Sequence, residues 1–378
     1  MTQNAPPGVE RNAAPLLHGT EAAALAAVLP SGQWGHGPAT DQFEAGIADL
    51  IGVDDAVAVS SGTTALHLAL RSVGIGPGDD VIVPSLTFCA SVQAITWNGA
   101  SPRFAEIAPN TLAVTPDTVL EALTPQTKAV MPVLYGGRAV DLSPIRDELA
   151  RRGIQIIEDA AHAFGSRHPD GAMVGADPAV LTCFSHDPIK NLTTGQGGTI
   201  VPRSRAEAEN LRSLRLFGIV QSKDARAGLT SYEVQGPGMR FGMSQLNAAI
   251  GLAQLEHFTE VAALRQHLWC TYQAALDNVD GAHLVDVDVA NTVPFNCVVR
   301  LDRGRDAIFH YLRERNIGVA VHYPPNHTQP GFSAWHRDLP VTERVAGQIL
   351  GLPFHPAMTR DSARFAVAAL AEAIKATA

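Results

Sequence analysis

Between Ala56 and Ile157 the chain repeats one pattern: a short apolar run, a turn of small or hydroxylated residues, then a helix. Ala56–Val59 leads through Ser60-Ser61-Gly62-Thr63-Thr64 into a helix over Ala65–Ser72. Val81–Pro84 leads through Ser85-Leu86-Thr87-Phe88 into Ala90–Trp97, and Ala129–Leu134 precedes a helix over Leu142–Arg152. Ile154–Ile157 is a further buried strand, ending in Glu158-Asp159. Strands that alternate with helices over this length predict an α/β fold, with a mostly parallel sheet covered on both faces. Gly74-Ile75-Gly76-Pro77-Gly78 precedes a strand, so it reads as a turn and not as a dinucleotide loop.

The flanks complete the outline. Residues 1–15 read as a flexible arm, followed by helices over Glu21–Val28 and around Phe43, Ile47, Leu50 and Ile51. Ala206–Leu214 is a helix, Gly218–Gly238 a long loop carrying Lys223 and Arg226, and Ser244–Phe258 an amphipathic helix with a Ser N-cap. A long helix then runs to about Asn278. After it, Phe295–Leu301, Asp306–Arg315, Val319–Tyr323 and Ser362–Ala376 predict a smaller α+β domain. The expected division is an arm over 1–15, a large domain over 16–258 and a small C-terminal domain over 259–378.

Composition excludes several classes. A net charge of −9 argues against nucleic acid as the main partner. No apolar run approaches the roughly 18 residues that a membrane span needs. The polar, proline-containing start has no signal-peptide core, which places the expectation in the cytoplasm. Cys89, Cys183, Cys270 and Cys297 never pair as C-x-x-C, so free buried thiols are expected.

Three of those turns carry reactive groups, and Leu181–Ile200 adds a fourth. There an apolar run ends in Phe184-Ser185, a proline breaks the ladder, and Lys190 sits in a loop closing on Gly195-Gln196-Gly197-Gly198. An amine stripped of water deprotonates more easily and becomes a nucleophile toward aldehydes. Alone, Lys190 reads as a surface lysine. The Ser60–Thr64 turn points helix N–H groups at an anion, and phosphate is the usual occupant; alone it reads equally as an ordinary N-cap. Adjacent strand residues face opposite ways, so one of Glu158 and Asp159 looks into a shared site. Pyridoxal phosphate (PLP) would use all of these: a lysine for its aldehyde, an anion site for its phosphate, and a carboxylate at its pyridine nitrogen. Phe88 is available to stack on its ring.

Assembled in order, VAVSSGTTALHLAL (from Val57), VIVPSLTFCA (from Val81), IIEDAAHAFG (from Ile156), FSHDPIKNLTTGQGG (from Phe184), MSQLNAAIGLAQL (from Met243) and VAVHYPP (from Val319) resemble the DegT/DnrJ/StrS family. These are PLP-dependent fold-type-I sugar aminotransferases. The resemblance implies that Lys190 forms the Schiff base, Asp159 pairs with the pyridine nitrogen and Phe88 stacks on the ring. His162 would lie near the cofactor's phenolic oxygen, and Gly62, Thr63, Thr64 and Ser185 would hold the phosphate. It further implies a homodimer with shared active sites, in which the segment Gly238–Met243, with Arg240, reaches the partner's phosphate.

The implied reaction moves an amino group from glutamate or glutamine to a keto sugar, most simply a nucleotide-linked one, in two half-reactions through pyridoxamine phosphate. Trp34, His322 and Tyr323 are the expected substrate contacts, beside the loop over Gly218–Gly238. His322 and His327 flank Pro324-Pro325 without further matched ligands, so they are read as lining the substrate and no metal is expected. The sequence departs from the family at His186-Asp187, Gln196, Arg240 and Gly242. A keto-cyclitol acceptor is an alternative, and a PLP-binding regulatory protein is another from a different class. Lys190 stands where relatives that dehydrate sugars carry His.

Overall fold

A computed structural model of the chain describes residues 6–221 and 228–377; Lys223 and Arg226 lie outside them. In the first half, helices α1 (Glu21–Val28) and α2 (Pro38–Ile51) precede a chain of alternating strands and helices. These are β1 (Val57–Val59), α3 (Gly62–Ser72), β2 (Asp80–Pro84), α4 (Cys89–Trp97), β3 (Ser101–Ala105), α5 (Pro116–Ala122), β4 (Thr127–Val130), α6 (Arg146–Arg151), β5 (Gln155–Asp159), β6 (Leu181–Ser185), β7 (Gly198–Val201) and α7 (Arg205–Leu214). The strands form one seven-stranded sheet in the order β1-β7-β6-β5-β4-β2-β3. Every neighbouring pair is parallel except those with β7, which runs antiparallel to both β1 and β6.

Two apolar layers sandwich this sheet. Phe43, Ile47 and Ile51 of α2 pack on one face with Ala58, Ile82, Val130 and Phe184. Leu66 and Leu70 of α3 pack on the other with Val57, Val81, Ile157 and Cys183. Burial on both faces explains why these strands read as continuous apolar runs. The sequence reading missed β3 and β7. Ser101–Ala105 contains Pro102, and Gly198–Val201 follows a glycine run, so both resemble turns until a neighbouring strand supplies the ladder.

The remaining elements are α8 (Gln245–Glu256), α9 (Phe258–Leu276), β8 (Ala282–Leu284), β9 (Cys297–Leu301), α10 (Arg305–Glu314), α11 (Pro340–Ala346), β10 (Ile349–Leu352) and α12 (Arg360–Ala376). Strands β10-β9-β8 form a separate antiparallel sheet. Val319–Tyr323 is not a strand; it joins this sheet by one bridge, Ala320 to Gly351. Ser244 caps α8 by accepting from the Asn247 N–H, as expected. The helix is nevertheless covered on two sides, by α1 and α2, through Ala248, Ala249, Gly251 and Ala253.

Residues 6–15 are a correction to the expected flexible arm. Val9 is fully buried, and its carbonyl accepts from the Gly318 N–H. The Asn12 side chain donates to the carbonyls of Gly318, Gly351 and Leu352. Two of those carbonyls belong to β10 of the small sheet, so Asn12 pins the N-terminal segment to it. The four cysteines are all free, but only Cys183 and Cys297 are buried; Cys89 and Cys270 are exposed. Among the described residues no helix is long and apolar enough to cross a membrane.

A buried ion cluster ties α2 to β1 and α7. Glu44 pairs with Arg215 and Arg212, and accepts from the Ala58 N–H at 2.8 Å. Arg215 donates to the Ala58 carbonyl at 2.7 Å, and Arg212 also pairs with Asp55. Removing one partner strands the buried charge of the other. Glu44→Ala is therefore expected to lower stability by about 3–5 kcal/mol, read as a lower urea midpoint than that of Asp55→Ala.

Candidate active site

Strands β1, β2, β5 and β6 run parallel, so their C-terminal ends share one edge of the sheet. This is the edge where open α/β sheets gather ligand-binding loops. It carries the Ser60–Thr64 turn after β1, the Ser85–Phe88 turn after β2, Asp159 at the end of β5 and Ser185 at the end of β6.

At the first of these, Ser61 caps α3 by accepting from the Thr64 N–H at 3.1 Å, and its hydroxyl also meets that of Thr64 at 2.8 Å. The N–H groups of Gly62 and Thr63 have no acceptor within the helix. The turn is packed tightly. A Cβ on Gly62 would lie 2.7 Å from the Ser185 Cβ and 3.0 Å from its Oγ. One on Gly198 would lie 2.5 Å from the Ser61 carbonyl oxygen. Only glycines let β7, β6 and the helix start close on one another, and that packing brings the Ser185 hydroxyl to the positive end of α3.

Glu158 and Asp159 face opposite ways. Glu158 accepts from the Thr182 hydroxyl at 3.0 Å and lies 3.5 Å from His168. Asp159 is held on the other side: Ser91 donates to Oδ2 at 2.6 Å, and the Ala161 N–H donates to Oδ1 at 3.1 Å. Thr87 meets Ser91 at 3.0 Å, which extends the chain back to the Phe88 turn. Burial pushes the Asp159 carboxyl up, while the Ser91 hydroxyl, the Ala161 N–H and the Lys190 charge pull it back down.

Lys190 follows β6 in the loop opened by Pro188. Its Nζ lies 4.5 Å from the centre of the Phe295 ring, and among the described residues no carboxylate is close enough to form an ion pair. Loss of water lowers its pKa to about 8, against the attraction of Asp159 and Asp187. The same ring stacks on His162, with centroids 3.9 Å apart and planes 18° from parallel. His162 Nδ1 faces the Gly136 N–H at 3.4 Å, and Nε2 meets the Tyr323 hydroxyl at 3.1 Å. Burial first, then the Lys190 charge, holds this imidazole well below its usual range, hence neutral. Burial likewise lowers His322 to about 4 and pushes the Tyr323 phenol up.

Phe88 is 56% exposed, an unusual state for a large ring at a sheet edge, and its centroid lies 5.6 Å from that of Tyr323. These contacts link Lys190, His162, Tyr323, His322 and Phe88, with Asp159 close enough to act on the Lys190 charge. Trp34 and Arg240 form a separate group. Trp34 donates from its indole to the Leu29 carbonyl at 3.1 Å, and the Arg240 Nη2 lies 3.9 Å from where a Gly35 Cβ would stand. The segment of Arg240 runs beside its own chain's Ser60–Thr64 turn: Gly242 bridges to Val59, and the Ser60 N–H donates to the Phe241 carbonyl. No heavy atom lies within 4 Å of a Cβ position on Gly242, so that departure leaves open space.

One histidine corrects the sequence reading, and the departure at His186 finds a structural place. His327 does not line a substrate pocket. It is 1% exposed, with Nδ1 2.7 Å from the Ser85 hydroxyl and Nε2 3.1 Å from Glu343. With Asn326, which donates to the carbonyls of Ser85 and Thr87, it clamps the Phe88 turn from beneath. His186 is fully buried against Phe43 and Phe164, and its nitrogens are spent on Thr199 and the Leu192 carbonyl. It holds the Lys190 loop shut from inside.

Phe295, Ser91 and Tyr135 were not legible as site residues. Tyr135 donates to the His322 carbonyl, and its ring lies 6.0 Å from that of His162. Ser91 carried a faint signal, as a small polar residue in the first turn of a mostly apolar helix. Phe295 carried none. The donor set fits pyridoxal phosphate: a glycine-packed anion turn, a buried and hydrogen-bonded carboxylate, a partly dehydrated amine and an uncovered aromatic ring. Elsewhere, His18, His257 and Glu260 bring metal-ligating atoms within 4.8 Å of one another. The two imidazoles stack in nearly parallel planes 4.1 Å apart, so their in-plane lone pairs do not converge.

Comparison with known proteins agrees with this arrangement. The chain is similar to the aminotransferase TlmJ from Streptoalloteichus hindustanus, with 32% identity and a TM-score of 0.90 over 97% of this chain and 99% of that one. It is 35% identical to DesV of S. venezuelae, with a TM-score of 0.86 over 94% of each chain. The sugar aminotransferase CalS13 from Micromonospora echinospora matches at 27% identity and a TM-score of 0.88, over 96% and 99%. The mostly parallel sheet is that of fold-type-I PLP enzymes. The model of the DegT/DnrJ/EryC1/StrS aminotransferase family matches residues 15–371, and the chain belongs to that family of PLP-dependent aminotransferases.

Proposed function

We propose that the protein moves an amino group from glutamate or glutamine to a keto sugar, carried on a nucleotide, in two half-reactions that share Lys190. The observation that carries this reading is the Lys190 amine resting on Phe295 in the same pocket as the buried Asp159 carboxylate. When bound, pyridoxal phosphate supplies an aldehyde to receive the amino group and a ring that withdraws electrons from the carbon beside it. Lys190, its pKa lowered to about 8, acts first as nucleophile and then as the base and acid that moves the proton at that carbon. Asp159, oriented by Ser91 and the Ala161 N–H, would hold a proton on the pyridine nitrogen. Gly62, Thr63, Thr64 and Ser185 would bind the phosphate, Phe88 would stack on the ring, and neutral His162 would lie near the phenolic oxygen.

A sugar acceptor is supported by the sugar aminotransferase among the similar structures. Exposed Trp34, His322 beside Tyr323, and the open space at Gly242 offer the room it needs. A homodimer with shared sites is supported by Phe217, Val220, Tyr232, Val234 and Met239, all exposed on the segment next to the anion turn. In such a dimer Arg240 serves the partner's phosphate. The domain division at about residue 258, with 259–378 as the small domain, follows the separation of the two sheets. Four free cysteines suit a reducing cytoplasm.

The test follows the visible absorption of the cofactor-loaded protein. L-Glutamate or L-glutamine is expected to bleach the band, and a nucleotide-linked keto sugar to restore it. Restoration by a keto-cyclitol alone would move the acceptor to that class. A band that no amino acid bleaches would leave a cofactor-binding regulator in place of a transaminase.

A further inference from the structure

Arg265 is the least expected charge in the molecule. It lies on α9, is 2% exposed, and has no carboxylate partner among the described residues. Its Nη1 donates to the carbonyls of Pro294 and Phe295, at 3.4 and 3.2 Å. Its Nε is buried without an acceptor, and its Cζ lies 5.9 Å from the Phe354 ring centre. A buried guanidinium in this state is costly, and a methionine or leucine would fill the same space without that cost. Packing therefore does not explain it.

What it holds does. The segment 293–295 is fastened at each backbone group by a different element. Ser166 accepts from the Val293 N–H at 3.0 Å, and Asn191, next to Lys190, donates to the Val293 carbonyl at 2.9 Å. The Phe295 N–H donates to the Gly136 carbonyl, and Arg265 takes the two carbonyls that remain. The ring set by these contacts touches Lys190 on one side and His162 on the other.

We propose that Arg265 is a positioning residue for the Lys190 pocket, holding the Phe295 ring between the Lys190 amine and His162 through the two carbonyls that flank that ring. The inference rests on the reading of Lys190 as the cofactor lysine. The ring excludes water from the amine, and the Arg265 charge adds to the field against a second cation, although burial lowers that guanidinium to about 9. Arg265 and burial act together to lower the Lys190 pKa, while Asp159 from β5 and Asp187 from its own loop act against them. His162 and His322 also face Lys190 and are neutral. Loss of the clamp should make the amine more basic.

The experiment uses the cofactor-free full chain. Lys190 is acetylated with acetic anhydride across a pH series and quantified by mass spectrometry, with exposed Lys128 as internal control. Wild-type Lys190 is expected to label with a midpoint near 8. Arg265→Met should raise that midpoint by about one unit, leaving roughly tenfold less neutral amine at pH 7. Phe295→Leu should raise it too, and the double variant should go no further than the larger single shift, because the two act through one ring. An unchanged midpoint in folded Arg265→Met, or additive shifts in the pair, overturns the proposal. If Arg265→Met does not fold, Phe295→Leu carries the test alone, and an unchanged Lys190 midpoint in that folded variant overturns the proposal. A wild-type Lys190 that labels like Lys128 would instead overturn the reading of Lys190 itself.

Discussion

Lys190→Ala is expected to abolish both half-reactions: no bleaching of bound cofactor by an amino donor, and no amination of any acceptor. Among the described residues no other lysine lies against these groups. Of its nitrogenous neighbours, Arg265 is a guanidinium tied to carbonyls, His162 is fixed between Phe295 and Tyr323, and burial lowers His322 to about 4. Turnover of Lys190→Ala at the wild-type rate would remove Lys190 from the mechanism. The pH dependence of cofactor loading carries the same assignment. Only the neutral amine attacks an aldehyde, and burial lowers this amine from 10.5 to about 8. Loading of the cofactor-free protein should therefore accelerate as pH rises and level off above about 8. A fully hydrated lysine would keep accelerating beyond pH 10.

Asp159→Ala should slow the proton step by about 10²–10³-fold, the usual scale for one lost preorganised electrostatic contact. It should weaken cofactor binding less than it slows the reaction, because the anion turn at α3 is untouched. Asp159→Asn keeps the shape and the Ala161 contact but loses the charge, and should be nearly as slow. If Asn restored the rate, the carboxylate would be serving as a spacer, and the pyridine nitrogen would need another partner. Ser91→Ala is the milder companion. Its hydroxyl donates to Asp159 at 2.6 Å, so losing it leaves the carboxylate present but less firmly oriented.

Much of this site was legible before any coordinates. Strand periodicity placed the anion turn, the Phe88 turn and Asp159 at strand ends, and a parallel sheet puts such ends on one edge. The alternation rule separated Asp159 from Glu158, and the structure shows them on opposite sides with different partners. The failures have a common cause. His327 reads as a substrate contact in a sequence, because nothing local reveals that Ser85 and Glu343 use up its nitrogens, nor that Thr199 and the Leu192 carbonyl use up those of His186. Residues 6–15 look like a loose arm for the same reason, since the carbonyls that Asn12 satisfies lie more than 300 residues away.

The sequence by itself therefore determined the fold class and most of the alternating elements, and it singled out Lys190, Asp159 and the Ser60–Thr64 turn as candidates. These rest on periodicity and on short stretches of chain whose local geometry follows from their residues. Only the tertiary structure decided what surrounds those groups: Phe295 between Lys190 and His162, Ser91 behind Asp159, Arg265 behind Phe295. Hydration and charge at an amine are set by everything within a few ångströms. Those neighbours come from segments that no sequence period connects.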